Sequence, residues 1–302
     1  MLPVEKETKA RKIIPAAVLI AVLVTGAVFG YRCFRPNQWT VTQYASSADE
    51  QAMIYTITDR KDHFVIVDGG LDADAEWIRQ MIAQHHNHVD AWIITHTHKD
   101  HAGAFNAIMD GTANDFQLDH IYTVDYNTER YQETAHDYDR FDVHETFVQF
   151  AAELPQIDYL HENDELDLAG LHMKVLSAWD EHVDALEDHL CNDGSMMFRL
   201  EGKKDSMLFC ADVQEEMEQY IIPAHEAELQ ADYVQCGHHG NWGLSTDFYD
   251  RISPQAVFMD APAWLFDPGN EKFDGYRLKQ YFTDRGITVY THEDAPHSIV
   301  LE

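Results

Sequence analysis

A run of polar residues at the end of an apolar segment constrains this chain more than any other feature. Residues 96–101 read HTHKDH and directly follow the segment VDAWII. Side chains two residues apart on an extended segment point to the same side, so His96 and His98 face one common point. Asp100 and His101 follow after the chain has turned, and they face a second point nearby. Because imidazole and carboxylate suit zinc or manganese, this spacing predicts a site for two divalent metal ions.

A histidine-rich loop that binds no metal is the alternative interpretation. The chain has 19 histidines, and residues 85–88, HHNH, form a second cluster with no obvious chemistry. Residues 96–101 differ from that cluster because they end a predicted buried strand and continue into Ala-Gly-Ala. Their position therefore favours the metal site.

The surrounding pattern predicts an α/β fold. Residues 64–70, FVIVDGG, read as a buried strand that ends in a tight glycine turn. Residues 71–87 carry apolar side chains at helical spacing, and residues 89–94 read as the next strand. This order of strand, helix and strand predicts a βαβ unit with a parallel pair.

Both halves of the chain give strands followed by helices, which favours a sandwich of two sheets with helices outside. Residues 127–153 are acidic and aromatic and are predicted to be helical, either packing in the core, which is favoured, or covering the site. The later strands are predicted at 171–176, 196–200, 207–210, 233–236, 256–259, 288–290 and 298–301, and the later helices at 215–230 and 276–285.

Two further polar motifs follow predicted buried strands. Asp212 ends the run MLFCAD, so its carboxylate either bridges two metals or caps the following helix. Residues 236–241, CGHHGN, follow another such strand, and their glycines allow a ligand to approach the backbone closely. Both motifs are candidate parts of the same site.

Together these motifs resemble the metallo-β-lactamase superfamily. The second half is most similar to the hydrolase domain attached to the DNA-uptake channel protein ComEC, and cell-surface phosphorylcholine esterases share similar elements. The resemblance implies a four-layer αββα sandwich with the metals at one edge of the sheets. The residues that carry it are Asp68-Gly69-Gly70, THTHKDHAGA at 95–104, NDGSMMFRL at 192–200, CADV at 210–213 and QCGHHGN at 235–241.

The resemblance also implies a role for each residue of the site. His239 would act on the substrate or its leaving group, as a proton donor or phosphate contact, and is one catalytic candidate. Asp100 is the other. Asp68 would orient the ligands from behind. The implied metal ligands are His96 and His98 at the first metal, Asp100, His101 and His238 at the second, and Asp212 as the bridge.

One expected ligand is missing. Many members of the superfamily have a histidine shortly before a Gly-Ser pair, and the corresponding position here is Cys191. Either Cys191 ligates a metal, or His189 takes over, or Asn192 or Asp193 borders an open site as in ComEC-like members. The last interpretation is favoured. Asn241 stands where serine is frequent and is a candidate for substrate binding.

The N-terminal segment predicts a membrane anchor. Residues 13–31 carry no charge and are close to the roughly 20 residues that cross a bilayer core. More basic residues precede this run than follow it, which predicts a cytoplasmic N-terminus and a catalytic domain outside the cytoplasm. A cleaved signal peptide is the alternative. The predicted parts are a cytoplasmic N-terminus at 1–12, a single-pass anchor in the cell membrane at 13–31, a linker at 32–39 and a hydrolase domain at 40–302.

The charge of the chain limits its substrates. The formal net charge is −32, which disfavours a long nucleic acid because such a ligand needs a basic face. Bound metals would reverse the sign locally, so a nucleic acid is not excluded. The sequence predicts a membrane-anchored hydrolase with two divalent metal ions, zinc or alternatively manganese. It would attack a small or surface-linked phosphodiester with a metal-bridging hydroxide. A hydrolase of a carbon ester, lactone or amide and a non-catalytic metal-binding module are the alternatives.

Overall fold

The computed structural model of the protein describes residues 37–112, 115–168, 170–292 and 295–302. Gln38–Glu302 form one compact unit. The predicted segments 1–12 and 13–31, with most of the linker, lie outside the described residues. Within the ranges given above, no helix is both long and apolar enough to cross a membrane. The first strand begins at Trp39, inside the predicted linker.

The described residues form two seven-stranded sheets. The strands are β1 (Trp39–Gln43), β2 (Ile54–Asp59), β3 (Phe64–Asp68), β4 (His88–Ile93), β5 (Gln117–Val124), β6 (Ile157–Leu160), β7 (Glu165–Leu168), β8 (Leu171–Ser177), β9 (Met197–Glu201), β10 (Ser206–Phe209), β11 (Tyr233–Gln235), β12 (Ala256–Pro262), β13 (Thr288–His292) and β14 (His297–Leu301). The first sheet has the order β14-β1-β2-β3-β4-β5-β6 and the second the order β13-β12-β11-β10-β9-β8-β7.

Each sheet is antiparallel at one end and parallel at the other. Strands β3 to β6 run parallel in the first sheet, and β10 to β13 run parallel in the second. The predicted βαβ unit around β3 and β4 is therefore confirmed. So is the two-sheet α/β sandwich as a whole.

Helices connect these strands. They are α1 (Ala75–Gln84), α2 (Lys99–Thr112), α3 (Thr128–Thr134), α4 (Phe141–Ala151), α5 (Glu181–Asp184), α6 (Leu190–Asp193), α7 (Glu218–His225), α8 (Thr246–Ile252) and α9 (Asp274–Asp284). Short 3₁₀ turns lie at Asp72–Asp74, Asp137–Asp139, Glu215–Met217, Gly237–Gly240 and Ala263–Phe266.

Strand β3 shows how the layers follow from the sequence. All five of its residues are buried, as expected for a strand covered on both faces. Successive side chains point to opposite faces, so Val65 and Val67 enter the core between the sheets. Phe64 and Ile66 enter a second core under α1, α2 and α4. The continuous apolar run of β3 thus serves two layers.

Residues 127–153, which are predicted to be helical, form two helices rather than one continuous helix. Helices α3 and α4 are separate, and a 3₁₀ turn lies between them. The Asp139 carboxylate accepts a hydrogen bond from the backbone N–H of His136, which competes with the helical bond that this N–H would otherwise make. Arg140 then adopts a left-handed conformation with φ of 51° and reverses the chain. Because of this break, the Asp139 side chain is buried in the protein.

Candidate metal centre

The predicted ligands all lie in loops at the carboxyl ends of parallel strands. Residues 96–98 follow β4, and Asp100 and His101 form the first turn of α2. Asp212 follows β10, and His238 and His239 follow β11. The carboxyl ends of parallel strands are where open α/β sheets bind ligands. The two sheets contribute about equally to this edge.

Glycine allows these loops to approach one another. A Cβ atom at Gly103 in α2 would lie 2.8 Å from the backbone nitrogen of Asp72 and 3.0 Å from the carbonyl oxygen of Gly70. Gly70 itself has φ of 70°. The turn after β3 and the start of α2 therefore pack backbone against backbone, which brings Asp68 close to the ligand loop.

The structure gathers six side chains into two groups. The ligand atoms of His96, His98 and Asp212 lie within 4.8 Å of one another, and so do those of Asp100, His101 and His239. Asp212 Oδ2 joins the groups, because it lies 3.6 Å from His96 Nε2 and 3.3 Å from Nε2 of both His101 and His239. Asp212 thus has the position of a bridging carboxylate.

The distances within the groups fit two bound cations. Two ligands at about 2.0–2.2 Å from one tetrahedral metal lie about 3.3–3.6 Å apart. The separation of 3.3 Å between His239 Nε2 and Asp100 Oδ2 matches this value, as do the distances from Asp212. Nε2 of His96 and His98 and Oδ1 of Asp212 are buried without a hydrogen-bond partner. Buried polar atoms are otherwise nearly always paired, so these three atoms fit a metal held by His96, His98 and Asp212.

The charges of the site also favour cations. Burial would raise the pKa of Asp212, but the imidazoles of His101, His239 and His96 outweigh it and hold that pKa well below its usual range. Burial would lower the pKa of His101, yet the carboxylates of Asp212 and Asp68 raise it to about 10. Ionised carboxylates buried this close together need positive charge beside them, which protonated imidazoles or divalent metals supply.

Asp68 lies directly behind His101. Its Oδ2 accepts hydrogen bonds from His101 Nδ1 at 2.7 Å and from Thr95 Oγ1 at 2.7 Å, and its Oδ1 accepts one from the Thr95 backbone N–H. An ionised carboxylate only accepts, so the His101 proton sits on Nδ1 and Nε2 is left to face the metal position. This is the contact expected of a residue that orients a ligand.

Replacing Asp68 with asparagine should weaken metal binding about 10- to 100-fold. The amide nitrogen is a hydrogen-bond donor, and it would face the groups that now donate to the Asp68 carboxylate. It would favour the His101 tautomer that carries its proton on Nε2, and a protonated Nε2 cannot bind a metal. Competition with a chelator measures the affinity. Asp232→Asn is the matched control, since Asp232 accepts a backbone hydrogen bond from Ser206 at the start of β10. Equal affinity in Asp68→Asn and wild type would contradict the assigned role.

The structure distinguishes the two adjacent histidines after β11. His239 is fully buried and lies in the group with Asp100 and His101. His238 is half-buried, and its Nδ1 lies 3.4 Å from Gln214 Nε2. The sequence assigned His238 as the ligand and His239 as the group acting on substrate. In the structure it is His239, and not His238, whose Nε2 lies beside the Asp100 and Asp212 carboxylates, and both residues have positive φ.

The residues considered for the missing ligand lie in neither group. Cys191 is buried, with its Sγ 3.7 Å from Thr97 Oγ1. His189 is half-buried and lies 3.7 Å from the Asp188 carboxylate. Asn192 has a buried Oδ1 with no hydrogen-bond partner, and Asp193 Oδ1 accepts a hydrogen bond from the backbone of Gln214. Of these four residues, His189 lines the cleft described below, and the other three are buried.

The predicted substrate contact Asn241 is buried, and its Oδ1 accepts a hydrogen bond from the backbone N–H of Gly275. That atom therefore ties the loop after β11 to the start of α9. Beside it lies a cleft of about 640 Å³ whose lining includes His189, Gln214, Glu216, His238, Trp242 and Arg277. His238 connects the cleft to the ligand groups.

Sequence reasoning missed several supporting residues. His144 in α4 lies between Thr97 Oγ1 at 2.9 Å and Thr128 Oγ1 at 3.0 Å, and so holds the loop between His96 and His98. Ser195 Oγ accepts a hydrogen bond from the Asp212 backbone N–H. Asp139 lies beside His98, with 3.4 Å between Asp139 Oδ1 and His98 Nε2. Ser195 stood within a noted motif, but nothing in the local pattern marks His144 or Asp139.

The buried carboxyl group of Asp193 predicts how the stability of the protein changes with pH. Burial raises its pKa from 3.8 to about 7. The folded state therefore keeps a proton that the unfolded state releases in this pH range, and stability falls as the pH rises from about 4 to about 7. We expect Asp193→Asn to stabilise the protein by on the order of 2 kcal/mol at pH 8 and very little at pH 4. Urea unfolding at both pH values measures this, and an equal effect at both would contradict it.

Solved structures share this fold at low sequence identity. CmlA, a diiron β-hydroxylase from Streptomyces venezuelae, superposes with a TM-score of 0.54 at 14% identity over 87% of this chain and 54% of CmlA. A mutant of the CmlA β-hydroxylase gives 0.54 at 13% over 96% of this chain and 60% of that one. The metallo-β-lactamase fold protein YhfI from Bacillus subtilis gives 0.50 at 15% over 88% of this chain and 99% of YhfI.

This chain therefore spans a little more than half of the CmlA chains and nearly all of YhfI. No protein-family profile matches the sequence, and no curated protein is significantly similar to it. The two sheets and their flanking helices nevertheless share the fold of these solved structures. The described part of the chain has the metallo-β-lactamase fold, with two candidate metal-binding groups at its ligand edge.

Proposed function

We propose that this protein is a metal-dependent hydrolase that cleaves a small or surface-linked phosphodiester. The observation that carries the proposal is Asp212, whose Oδ2 lies within 3.6 Å of imidazoles from both ligand groups. When bound, two divalent cations would activate a water molecule and balance the negative charge of the phosphoryl oxygens. A phosphodiester suits an acidic site of this kind only when such cations are present.

His238 is the side chain proposed to act on the substrate. It faces the cleft, and burial lowers its pKa, so it is neutral near pH 7. The amide nitrogen of Gln214 donates toward Nδ1, which leaves the His238 proton on Nε2. A neutral imidazole with that proton donates a hydrogen bond to a phosphoryl or leaving-group oxygen.

The cleft favours a small substrate over a nucleic acid strand. Its lining includes Glu215, Glu216 and Asp274, and Arg277 lies 3.8 Å from Asp274. The net charge of −32 repels a long polyanion, whereas an isolated phosphodiester meets only the site itself. The volume of about 640 Å³ is in the range of small-molecule sites.

We further propose that the enzyme acts outside the cytoplasm and belongs to the ComEC-like branch. The apolar run at 13–31 supports an anchor, and the residues at 192–200 support the branch. This chain also has Cys191 at the position where many members of the superfamily have a ligand histidine, and it differs from those members in this respect. Fusing a periplasmic or cytoplasmic reporter to Glu302 tests the orientation. Reporter activity on the cytoplasmic side would contradict it.

Alanine variants of the two adjacent histidines test the proposal most sharply. The full chain, loaded with zinc or manganese, should hydrolyse bis-p-nitrophenyl phosphate. His239→Ala should lose both activity and one metal per chain, because it removes a ligand. His238→Ala should keep its metals and lose about 10²- to 10⁴-fold in kcat, because it removes only a proton donor. Elemental analysis and initial rates measure the two effects.

His172→Ala, at an exposed histidine of β8 in the second sheet, is the control and should match wild type. Metal bound without any phosphodiester turnover would contradict the proposed reaction. A panel of p-nitrophenyl acetate, a lactone and nitrocefin then identifies a carbonyl hydrolase. Less than one metal per chain in wild type would contradict a metal-dependent enzyme and favour a non-catalytic module.

A further inference from the structure

The two ligand groups do not have equal numbers of protein donors. Asp100, His101 and His239 form one group, and with Asp212 that cation position has four side chains. The other position has only His96, His98 and the shared Asp212. Structural and catalytic metals in proteins commonly take three or four protein ligands, so a further donor beside His98 would make the two positions equivalent.

Asp139 is an acidic side chain beside His98. Its Oδ1 is 3.4 Å from His98 Nε2, and no hydrogen bond of acceptable geometry joins them. That separation is longer than a good N–H···O bond, which spans about 2.7–3.2 Å. It equals the spacing of about 3.3–3.6 Å between two ligands of one tetrahedral metal. The same spacing separates Asp212 from His96 and Asp100 from His239.

The Asp139 carboxylate is held in place. It is 9% exposed, and its Oδ2 accepts a hydrogen bond of 2.7 Å from the backbone N–H of His136. The segment is anchored to the second half of the chain, since Arg130 donates to the carbonyl oxygens of Asp184 and Leu186. One oxygen is thus fixed by the backbone while the other faces His98. A ligand held in this way loses little freedom when it binds a cation.

Cys191 also lies beside His98. Its Sγ lies 3.7 Å from Thr97 Oγ1, so the thiol has a hydroxyl partner, whereas Asp139 Oδ1 faces His98 without a hydrogen bond. Thr97 in turn is held by His144 at 2.9 Å. The Cys191 thiol therefore packs against Thr97, which His144 holds in place.

We propose that Asp139 is a direct ligand of the cation held by His96 and His98, in place of the histidine that this chain lacks. This inference rests on the proposed metal-dependent function. Each cation would then have two imidazoles, one carboxylate of its own and the shared carboxylate of Asp212. Neither set contains a thiolate. The segment between α3 and α4 thereby becomes part of the metal centre.

The test uses the full chain with Asp139→Asn, Cys191→Ser and the matched control Asp137→Asn. Asp137 is exposed and lies in the same 3₁₀ turn. After dialysis against a chelator, we expect about two metals per chain in wild type, Asp137→Asn and Cys191→Ser, and about one in Asp139→Asn. His239→Ala should lose the other metal, so the double variant with Asp139→Asn should retain almost none. Circular dichroism confirms that each variant is folded.

Cobalt-substituted protein supplies an independent spectroscopic readout. Wild type should lack the near-ultraviolet charge-transfer band of a cobalt–thiolate bond, and Asp139→Asn should change the visible d–d bands while Asp137→Asn leaves them unchanged. Two retained metals with unchanged bands in Asp139→Asn would overturn the proposal, as would a thiolate band that disappears in Cys191→Ser. Either result would leave the proposed function standing, whereas wild type without metal would contradict that function instead.

Discussion

Replacing Asp212 with asparagine is expected to reduce hydrolysis about 10³-fold or more and to remove metal from both positions. The reason is that Asp212 Oδ2 is the one atom within 3.6 Å of His96, His101 and His239 together. Metal ions contribute several kcal/mol to transition-state stabilisation, and each 1.36 kcal/mol corresponds to about a factor of ten in rate. Asparagine keeps the shape of the side chain but removes its charge, so the loss reports on ligation.

Elemental analysis and initial rates on the metal-loaded protein measure this effect. Asp247→Asn, at an exposed position in α8, is the control and should retain both metals. Thermal unfolding of the metal-free forms separates ligation from folding. A folded Asp212→Asn variant with two metals and ordinary rates would show that the two groups do not share this carboxylate.

Replacing Trp92 with alanine is expected to lower the free energy of unfolding by about 3–5 kcal/mol. The indole is completely buried in β4 and packs edge-on against Phe105, with 5.1 Å between ring centroids. Its Nε1 donates a hydrogen bond to the Asp68 carbonyl oxygen at 3.0 Å. Alanine would leave a cavity beneath α2 and an unpaired carbonyl at the residue that orients His101.

Urea unfolding of the metal-free proteins measures this loss, since bound metal would add its own stabilisation. Trp242→Ala is the matched control, because Trp242 is 54% exposed and its removal should change stability by no more than about 0.5 kcal/mol. Trp92→Phe keeps most of the apolar area and should lose about 1–2 kcal/mol, mainly through the unpaired carbonyl. Equal stability of Trp92→Ala and wild type would contradict the packing described here.

Much of the fold was predictable because its signals are local. Strand β3 is a continuous apolar run closed by glycines, and strand β4 runs directly into the HTHKDH motif. The alternation of Val65 and Val67 with Phe64 and Ile66 places a core on each face of the sheet without further information. The break between α3 and α4 was not predicted, because a single carboxylate, Asp139, competes for a backbone N–H and apolar periodicity does not report this.

The candidate site was likewise predictable where its signals are local in the sequence. The sequence by itself determined which residue types converge at the strand ends, since spacing on a strand and on the first turn of a helix fixes which side chains share a face. Which of His238 and His239 turns inward depends on two consecutive left-handed residues, and these follow from packing after β11. Asp139 lies 41 positions from His98 along the chain, so no spacing relates them.

The sequence thus determined the fold class, the residue types of the candidate metal-binding groups and the edge of the sheets at which they lie. Only the tertiary structure decided which imidazole faces the second cation position, that Cys191 packs behind Thr97, and that Asp139 meets His98. The physical reason is that local hydrogen bonding and side-chain alternation act over a few residues. The last ligands of a metal centre are set by contacts between segments that are distant in the chain.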